Sequence, residues 1–326
     1  MTGIANHYML KILNRSSLIV IIITWTIFLW SFFLYLSLGR LQPAIENAPN
    51  SYLINSTFSR KFKSNSIAII VRAHENYAHQ LMALIWMFES QNYPGDIFIL
   101  VIPTEYESIE YLSKLLSQNW KDVDAATWRR KGVFIKILNL PRSYYERYCC
   151  LLTSLCTDEW RKRKMKENFS ERTLRRYCEI NSPMHYFLTD IAVDAVLHIC
   201  NECAGLVITN ADNFYSPTYL AKTAHMLSSF RPFIFSSSQP QYDIILTDMV
   251  HLGQPVTTEA SLGKMDLGGV LLSVPLIHSS KIRFLTSLPI PTEPQHYHDA
   301  DFHFVKKLLE YGGKHIVVHQ TLYTHN

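Results

Sequence analysis

The sequence predicts an α/β protein, in which a single domain surrounds a central, mostly parallel mixed sheet and one transmembrane helix precedes it. From residue 66 onward, short apolar runs rich in β-branched residues alternate with helical patterns, which is typical of βαβ units. Residues 16–39 contain no charged side chain. Hydrophobic residues make up 48% of the chain and charged residues 18%, a composition that excludes a largely disordered protein.

The apolar run at residues 16–39 predicts a membrane-spanning helix. As a helix it reaches about 36 Å, which exceeds a hydrocarbon core of about 30 Å. The run is longer than the apolar region of a cleaved signal peptide, so we expect an uncleaved signal anchor. Lys11 and Arg15 precede the run, and the positive-inside tendency therefore favours a cytoplasmic N-terminus.

This interpretation divides the chain into four parts. Residues 41–63 are polar and lack a sustained periodicity, which indicates a stem. The predicted parts are a cytoplasmic tail (1–15), a transmembrane anchor (16–39), a stem (40–64) and a lumenal domain (65–326).

Cysteines and sequons are consistent with a lumenal domain. Two glycosylation sequons, at Asn55 and Asn168, lie after the anchor. Six cysteines fall within residues 149–203, and in an oxidising lumen they predict one to three local disulfides whose pairing is left open. A zinc site at Cys200 and Cys203 is the weaker alternative, because no His pair follows at finger spacing.

The formal net charge of +4 is concentrated in one segment. Residues 161–176 hold eight basic and two acidic side chains, a net of +6, which leaves −2 for the rest. The simplest interpretation is a solvated helix face. The functional alternative is contact with an anionic acceptor, a lipid headgroup or a partner protein. We expect no nucleic-acid partner for a lumenal domain.

The predicted elements follow the stem in order, with strands at β-branched or alternating apolar runs and helices at apolar spacings of three and four. The predicted strands are 66–71, 96–102, 133–138, 205–209, 243–251, 265–274 and 315–318. The predicted helices are 79–89, 108–116, 185–203, 217–227 and 301–311. An irregular insertion, rich in cysteine and basic residues, separates the two halves at residues 144–176.

Two polar segments follow predicted strands. Residues 72–76 come after the first strand and residues 209–213 come after the mid-chain strand. In an open α/β sheet, ligands bind beyond the carboxyl ends of the strands, so both segments are candidates for a site. The structural alternative for the second segment is a turn in which Asn213 or Ser216 caps the next helix.

A second acidic group precedes the last predicted helix. Residues 298–301 read His-Asp-Ala-Asp. Asp301 is suited to cap that helix. Asp299 has no such structural role, which favours a functional one.

Taken in order, these features resemble a nucleotide-sugar-dependent glycosyltransferase of the GT-A fold. The resemblance covers most of residues 66–326, and the anchor and stem are similar to those of Golgi glycosyltransferases. It implies a single-pass type II protein of the Golgi or ER membrane with a lumenal catalytic domain. It also implies a nucleotide-sugar donor and a glycan, glycoprotein or glycolipid hydroxyl as acceptor.

The segment Asn210-Ala211-Asp212 resembles the D-x-D motif of that family. The resemblance implies that Asp212 ligates a divalent cation, Mn²⁺ or Mg²⁺, on the donor diphosphate and that Asn210 contacts the ribose or a metal-bound water. A hard cation on oxygen ligands neutralises the charge of the leaving diphosphate. Asn replaces the first Asp of the motif, which leaves the metal requirement open.

The segment 298–302 resembles the E-D-x-D-L pattern of inverting members, with His298 in place of Glu. The resemblance implies that Asp299 is the catalytic base, with Asp301 as the second choice, because a base needs a carboxylate within reach of the acceptor hydroxyl. His325 follows the last strand, where several family members place a further metal ligand.

Other positions resemble family contacts less specifically, and each has a structural alternative, such as a helix-end ion pair or close approach of two backbones. The implied donor contacts are Arg72, Glu75 and Asp190, and the implied acceptor contacts are Asp266, Gly268 and Gly269.

Two function hypotheses remain. The first is a transferase, inverting rather than retaining. The alternative is a membrane-anchored pseudo-glycosyltransferase that acts as a lumenal carbohydrate- or protein-binding module, which Asn210 and His298 favour. A zinc hydrolase is disfavoured because the sequence contains no His-Glu-x-x-His motif.

Overall fold

A mixed β-sheet of eleven strands with helices packed against it forms the centre of the computed structural model, which describes residues 62–124, 127–142, 145, 183–230, 241–287 and 299–325. These residues all belong to one unit, Ser56–Asn326. The predicted anchor, the basic insertion and nearly all of the stem lie outside the described residues. In the part that the structure describes, no helix is long and apolar enough to cross a membrane.

The strand order is β3-β4-β5-β2-β1-β6-β10-β8-β11-β7, and β9 pairs with β8. The strands are β1 (Ile67–Ala73), β2 (Ile97–Pro103), β3 (Lys121–Asp124), β4 (Thr127–Arg130), β5 (Val133–Ile137), β6 (Gly205–Asn210), β7 (Phe214–Tyr215), β8 (Ile244–His251), β9 (Gln254–Val256), β10 (Val270–Ser273) and β11 (His315–His325). The neighbours β5, β2, β1 and β6 are parallel, which confirms the predicted mixed α/β class with parallel central strands.

The helices are α1 (Ala78–Glu89), α2 (Ser108–Asn119), α3 (Pro183–Ile199), α4 (Tyr219–Thr223), α5 (Val274–Ser280), α6 (Phe284–Ser287) and α7 (Ala300–Glu310). Three 3-10 turns cover Glu75–Tyr77, Ala224–Met226 and Leu267–Gly269. In α1 the buried side chains recur at helical spacing, from Ala78 through Leu81 and Ile85 to Phe88, which matches one helix face packed against a sheet.

The core is densest around the two central strands. Every residue of β2 is buried, and in β1 only Arg72 is partly exposed. Strands covered on both faces contain continuous β-branched and aliphatic runs, which is why the sequence identifies these two strands well.

Several predicted bounds were wrong. The predicted strand 265–274 is a 3-10 turn followed by the four residues of β10, and the next helix begins at Val274, with Pro275 in its first turn. The predicted helix 185–203 ends at Ile199, before a turn that the Cys200–Cys203 disulfide closes. This bond also replaces the alternative of a zinc site at these two cysteines.

Strand direction brings distant segments to one edge of the sheet. Since β10 is antiparallel to both β6 and β8, and β11 is parallel to β8, the carboxyl ends of β1, β6, β8 and β11 share an edge with the start of β10. Arg72 lies opposite Asn210 there, and His325 lies opposite His251.

Candidate functional site

The candidate site lies at this shared edge, where it joins β1, α3, the turn before β10, the start of α7 and the end of β11. Its charged members, Arg72, Asp266, Asp301 and His325, come from four separate parts of the chain. Electrostatic interaction links all four. The site is therefore assembled only by the complete sheet.

Asp266 is the best-connected acidic group of the site. Its Oδ1 accepts hydrogen bonds from the Tyr323 hydroxyl and from the backbone N–H of Gly268, the latter at 2.8 Å. Its Oδ2 lies 3.3 Å from Nδ1 of His325, and that nitrogen is also 3.3 Å from the Tyr323 hydroxyl. The three side chains thus fix one another, and His251 stacks on the His325 ring at 4.9 Å.

Gly268 makes room for Tyr323. A Cβ at Gly268 would lie 2.5 Å from Cζ of Tyr323 and 2.6 Å from its Cε2, which is far inside van der Waals contact. The Gly268 carbonyl accepts a hydrogen bond from the hydroxyl of Tyr215 at 2.8 Å. Gly268 and Gly269 are buried and lie against Tyr323, and an acceptor role for them stays a prediction.

Arg72 and Asp301 form a half-buried pair of opposite charge. Burial opposes the charge of the guanidinium, but attraction to Asp301 and its neighbours raises the pKa of Arg72. Burial raises the pKa of Asp301 to about 6, against the attraction of Arg72 and with the help of the negative charge of Asp266. Among the described residues, Nε of Arg72 and Oδ1 of Asp301 have no hydrogen-bond partner.

Two residues of α3 complete the surroundings of Arg72. Its guanidinium lies 5.6 Å from the ring centroid of Tyr186. Burial lowers the pKa of His185 to about 4, with smaller effects from the charges of Arg72 and His74, so His185 is neutral at neutral pH. Sequence reasoning missed His185 and Tyr186, because both begin a helix whose pattern indicates core packing. Tyr323 was missed because the predicted last strand ended at residue 318, whereas β11 extends to His325.

The structure reverses the expected positions of the two aspartates near residue 300. Asp299 is half-buried at the N-cap position of α7, where its backbone carbonyl accepts from the N–H of His303 at 3.0 Å and its side chain makes no capping hydrogen bond. Asp301 lies two residues further and belongs to the charged cluster of the site, where it also accepts a backbone hydrogen bond from Leu267. A catalytic role for either residue stays a prediction.

The loop after β6 is attached to β1. The backbone N–H of Ala211 donates to the carbonyl of Arg72 at 3.0 Å, and Nδ2 of Asn213 donates to Oγ1 of Thr209 at 3.0 Å. This places Asn210 and Asp212, both half-buried, at the predicted edge.

The predicted metal ligands do not form a ready-made site. Within the described ranges, no group of three or more His, Cys, Asp or Glu side chains is placed to hold a metal ion. Nδ1 of His325 faces Asp266, and Asp212 belongs to no such donor group. The donor set therefore does not fit a preformed Mn²⁺ or Mg²⁺ site.

Asp190 has a structural role instead of the predicted donor contact. Its two carboxylate oxygens accept the backbone N–H groups of Phe284 at 2.7 Å and Leu285 at 3.1 Å, at the start of α6. Burial raises the pKa of Asp190 to about 7, although these hydrogen bonds lower it. Glu75 lies in a 3-10 turn beside the site, but its side chain lies outside the description.

No protein-family model and no curated protein sequence matches this chain. Similar solved structures include residues 1–349 of S. aureus TarS, at 9% identity and a TM-score of 0.43, covering 79% of this chain and 60% of that one. The same fragment in complex with UDP-GlcNAc is 9% identical with a TM-score of 0.40, covering 80% of this chain and 58% of that one. The mannosyltransferase PcManGT from Pyrobaculum calidifontis, in complex with GDP-Man and Mn²⁺, is 11% identical with a TM-score of 0.38, covering 88% of this chain and 66% of that one. This chain thus spans about 60% of the TarS fragment.

Proposed function

We propose that this protein is a glycosyltransferase of the secretory pathway that moves a sugar from a nucleotide-sugar donor to a hydroxyl of a glycan, glycoprotein or glycolipid. The predicted anchor at residues 16–39 supports a Golgi or ER membrane location with the domain on the lumenal side. The resemblance of residues 210–212 and 298–302 to donor and base motifs supports the reaction class.

The observation that carries the proposal is the half-buried Arg72–Asp301 pair at the carboxyl edge of the sheet, in which two polar atoms are buried. A buried polar atom without a partner costs about 1–3 kcal/mol, and native proteins keep few of them. Nε of Arg72 and Oδ1 of Asp301 are two such atoms among the described residues. A ligand that offers an anionic oxygen to the guanidinium and a hydroxyl group to the carboxylate would complement this pair, and a donor with its acceptor offers this combination.

Asp301 is the favoured base within this site. A general base works best when its pKa lies near the working pH, and burial raises the pKa of Asp301 to about 6. In the proposed step its carboxylate takes the proton of the acceptor hydroxyl. The hydroxyl oxygen forms the new bond to the anomeric carbon, and the electron pair of the breaking bond leaves with the nucleoside diphosphate.

Arg72 and His325 would stabilise negative charge near this step. Arg72 is cationic, and His325 is held by Asp266. A bound Mn²⁺ or Mg²⁺ would supply further positive charge to the diphosphate, but because no preformed metal site is present in the described residues, no step is assigned to it. Asn210, which replaces the first carboxylate of the metal-binding motif, favours the second candidate function, a binding module without turnover.

The test uses the full chain with UDP- and GDP-sugar donors, each with Mn²⁺ and with a chelator. Asp301→Asn should lower transfer at least about 100-fold, because general-base catalysis contributes about 10²–10⁴-fold, and donor binding measured by calorimetry should persist. Asp299→Asn is the matched control and should retain transfer. The opposite result would make Asp299 the base. Binding of a donor without turnover would support the binding module, and no donor binding under either condition would refute the transferase.

A further inference from the structure

A solvent-open pocket lies at the opposite edge of the sheet from the candidate site. It has a volume of about 340 Å³ and is lined by Trp86, Glu89, Ser90, Arg130 and Lys131. Lys131 and Gly132 directly precede β5, and the carbonyl of Gly132 accepts the N–H of Ile97, the first residue of β2. The pocket therefore lies at the amino ends of the parallel strands and shares no residue with the candidate site.

A buried carboxylate fixes one wall of this pocket. The side chain of Glu89 is only 6% exposed. Its Oε1 accepts a hydrogen bond from the indole N–H of Trp120, and its Oε2 lies 3.8 Å from Nε of Arg130. Both carboxylate oxygens are thus occupied by protein groups, and the negative charge holds Arg130 at the rim.

Three further polar side chains line the wall. The hydroxyl of Ser90 donates to the carbonyl of Met87 at 2.9 Å, whereas the Arg130 side chain is 44% exposed and Lys131 is exposed, so both cations can reach a ligand from solvent. Lys131 has a φ of 49° and Gly132 a φ of 79°, so the turn itself sets the direction of the lysine. Trp86 is 48% exposed, an unusual exposure for a large aromatic side chain.

These groups define one ligand chemistry. A volume of about 340 Å³ is near the lower end of small-molecule sites, about 300–1,000 Å³. Guanidinium and ammonium donors match an anionic group, while the flat indole matches the apolar face of a ring. With Glu89 neutralised by Arg130, Lys131 leaves the wall with a net positive charge.

We propose that this pocket binds one ring of an anionic saccharide that carries a carboxylate or a sulfate group. The ring lies on Trp86, and its anionic substituent meets Arg130 and Lys131. This site goes beyond the proposed transfer reaction, because it would hold an acidic glycan at the edge of the sheet remote from catalysis.

The experiment measures binding of three tetrasaccharides to the immobilised full chain: one ending in glucuronate, one ending in a sulfated glucose and one neutral. At least one anionic probe should bind about tenfold or more tightly than the neutral one, and the two anionic probes distinguish carboxylate from sulfate. Trp86→Ala should weaken that binding about tenfold, as truncated aromatic anchors do. Lys131→Asn should weaken it about twofold to fivefold, as expected for an exposed ion pair.

Lys281→Asn is the matched control. Like Lys131, Lys281 is exposed and its backbone is in the left-handed region, with a φ of 55°, and Asn tolerates that conformation. It should leave binding unchanged. Equal losses in Lys131→Asn and Lys281→Asn, equal affinity for the neutral probe, or preferential binding of AMP or of phosphoinositide vesicles would each overturn the proposal. Trp86→Ala should also leave nucleotide-sugar binding unchanged, so failure of this site and failure of the proposed function give different results.

Discussion

Replacement of Asp301 by Asn should change how the stability of the protein depends on pH. Burial, with the negative charge of Asp266, raises the pKa of this carboxyl from 3.8 to about 6 despite the attraction of Arg72. Each unit is worth about 1.36 kcal/mol, so the shift corresponds to about 3 kcal/mol. The folded state binds the proton more tightly than the unfolded state. The stability that Asp301 contributes is therefore complete below pH 3.8 and is lost as the pH rises through about 6.

The asparagine variant cannot titrate at this position. Relative to the parent protein, its free energy of unfolding should therefore rise by about 2 kcal/mol between pH 4 and pH 7, because part of the full shift falls below pH 4. Other titrating groups, including Asp190, are present in both proteins and cancel in the comparison. The measurement is urea unfolding of both full chains at half-unit pH steps.

The control for this experiment is Asp299→Asn, two residues away at the N-cap position of α7. It should leave the pH profile nearly parallel to that of the parent protein. A difference between Asp301→Asn and the parent that stays constant within about 0.5 kcal/mol from pH 4 to pH 7 would refute the assignment of the raised pKa to Asp301.

Two further substitutions test the packing of the site and its support. Gly268→Ala should lower the free energy of unfolding by about 1–3 kcal/mol, because the added Cβ overlaps Tyr323. In the same urea assay Gly269→Ala, whose Cβ would lie 3.3 Å from Tyr323, should cost clearly less, and equal losses would contradict this account. Asp190→Ala should cost about 2 kcal/mol by thermal unfolding at pH 7, because two backbone N–H groups lose their acceptor. Asp194→Ala removes only a partly exposed ion pair and should cost at most about 1 kcal/mol; a larger loss there would count against the buried role of Asp190.

The central strands could be predicted because burial on both faces leaves a clear signal. Residues 66–71 and 96–102 are continuous aliphatic runs, and the structure has β1 and β2 there. The hairpin of β3 and β4 could not be predicted, since its residues, such as Lys121 and Arg129, are charged and lie at the edge of the sheet. Edge strands need little apolar patterning.

The candidate site could be located but not assembled from sequence. The rule for carboxyl ends of strands predicted the neighbourhoods of Arg72 and Asp212 as candidates, and the structure places both at that edge of the sheet. The partnership of Arg72 with Asp301 depends on strand order, which brings together residues 229 positions apart in the chain. The motif also favoured Asp299 over Asp301, because the interaction of Asp301 with Arg72 and Asp266 depends on the packing of α7 and not on the local sequence.

The position of β1 in the sheet has a consequence for the synthesis of the protein. Its partner β2 follows within 30 residues, but its other partner, β6, pairs Gly205 with Ile67, a separation of 138 residues. At about 5–20 residues per second, translation needs about 7–28 s to supply that partner. During this interval an apolar strand edge, fully buried in the finished protein, is unpaired and open to association with other chains. Until β6 has been made, this edge of β1 lacks the hydrogen-bond partner that covers it in the folded protein.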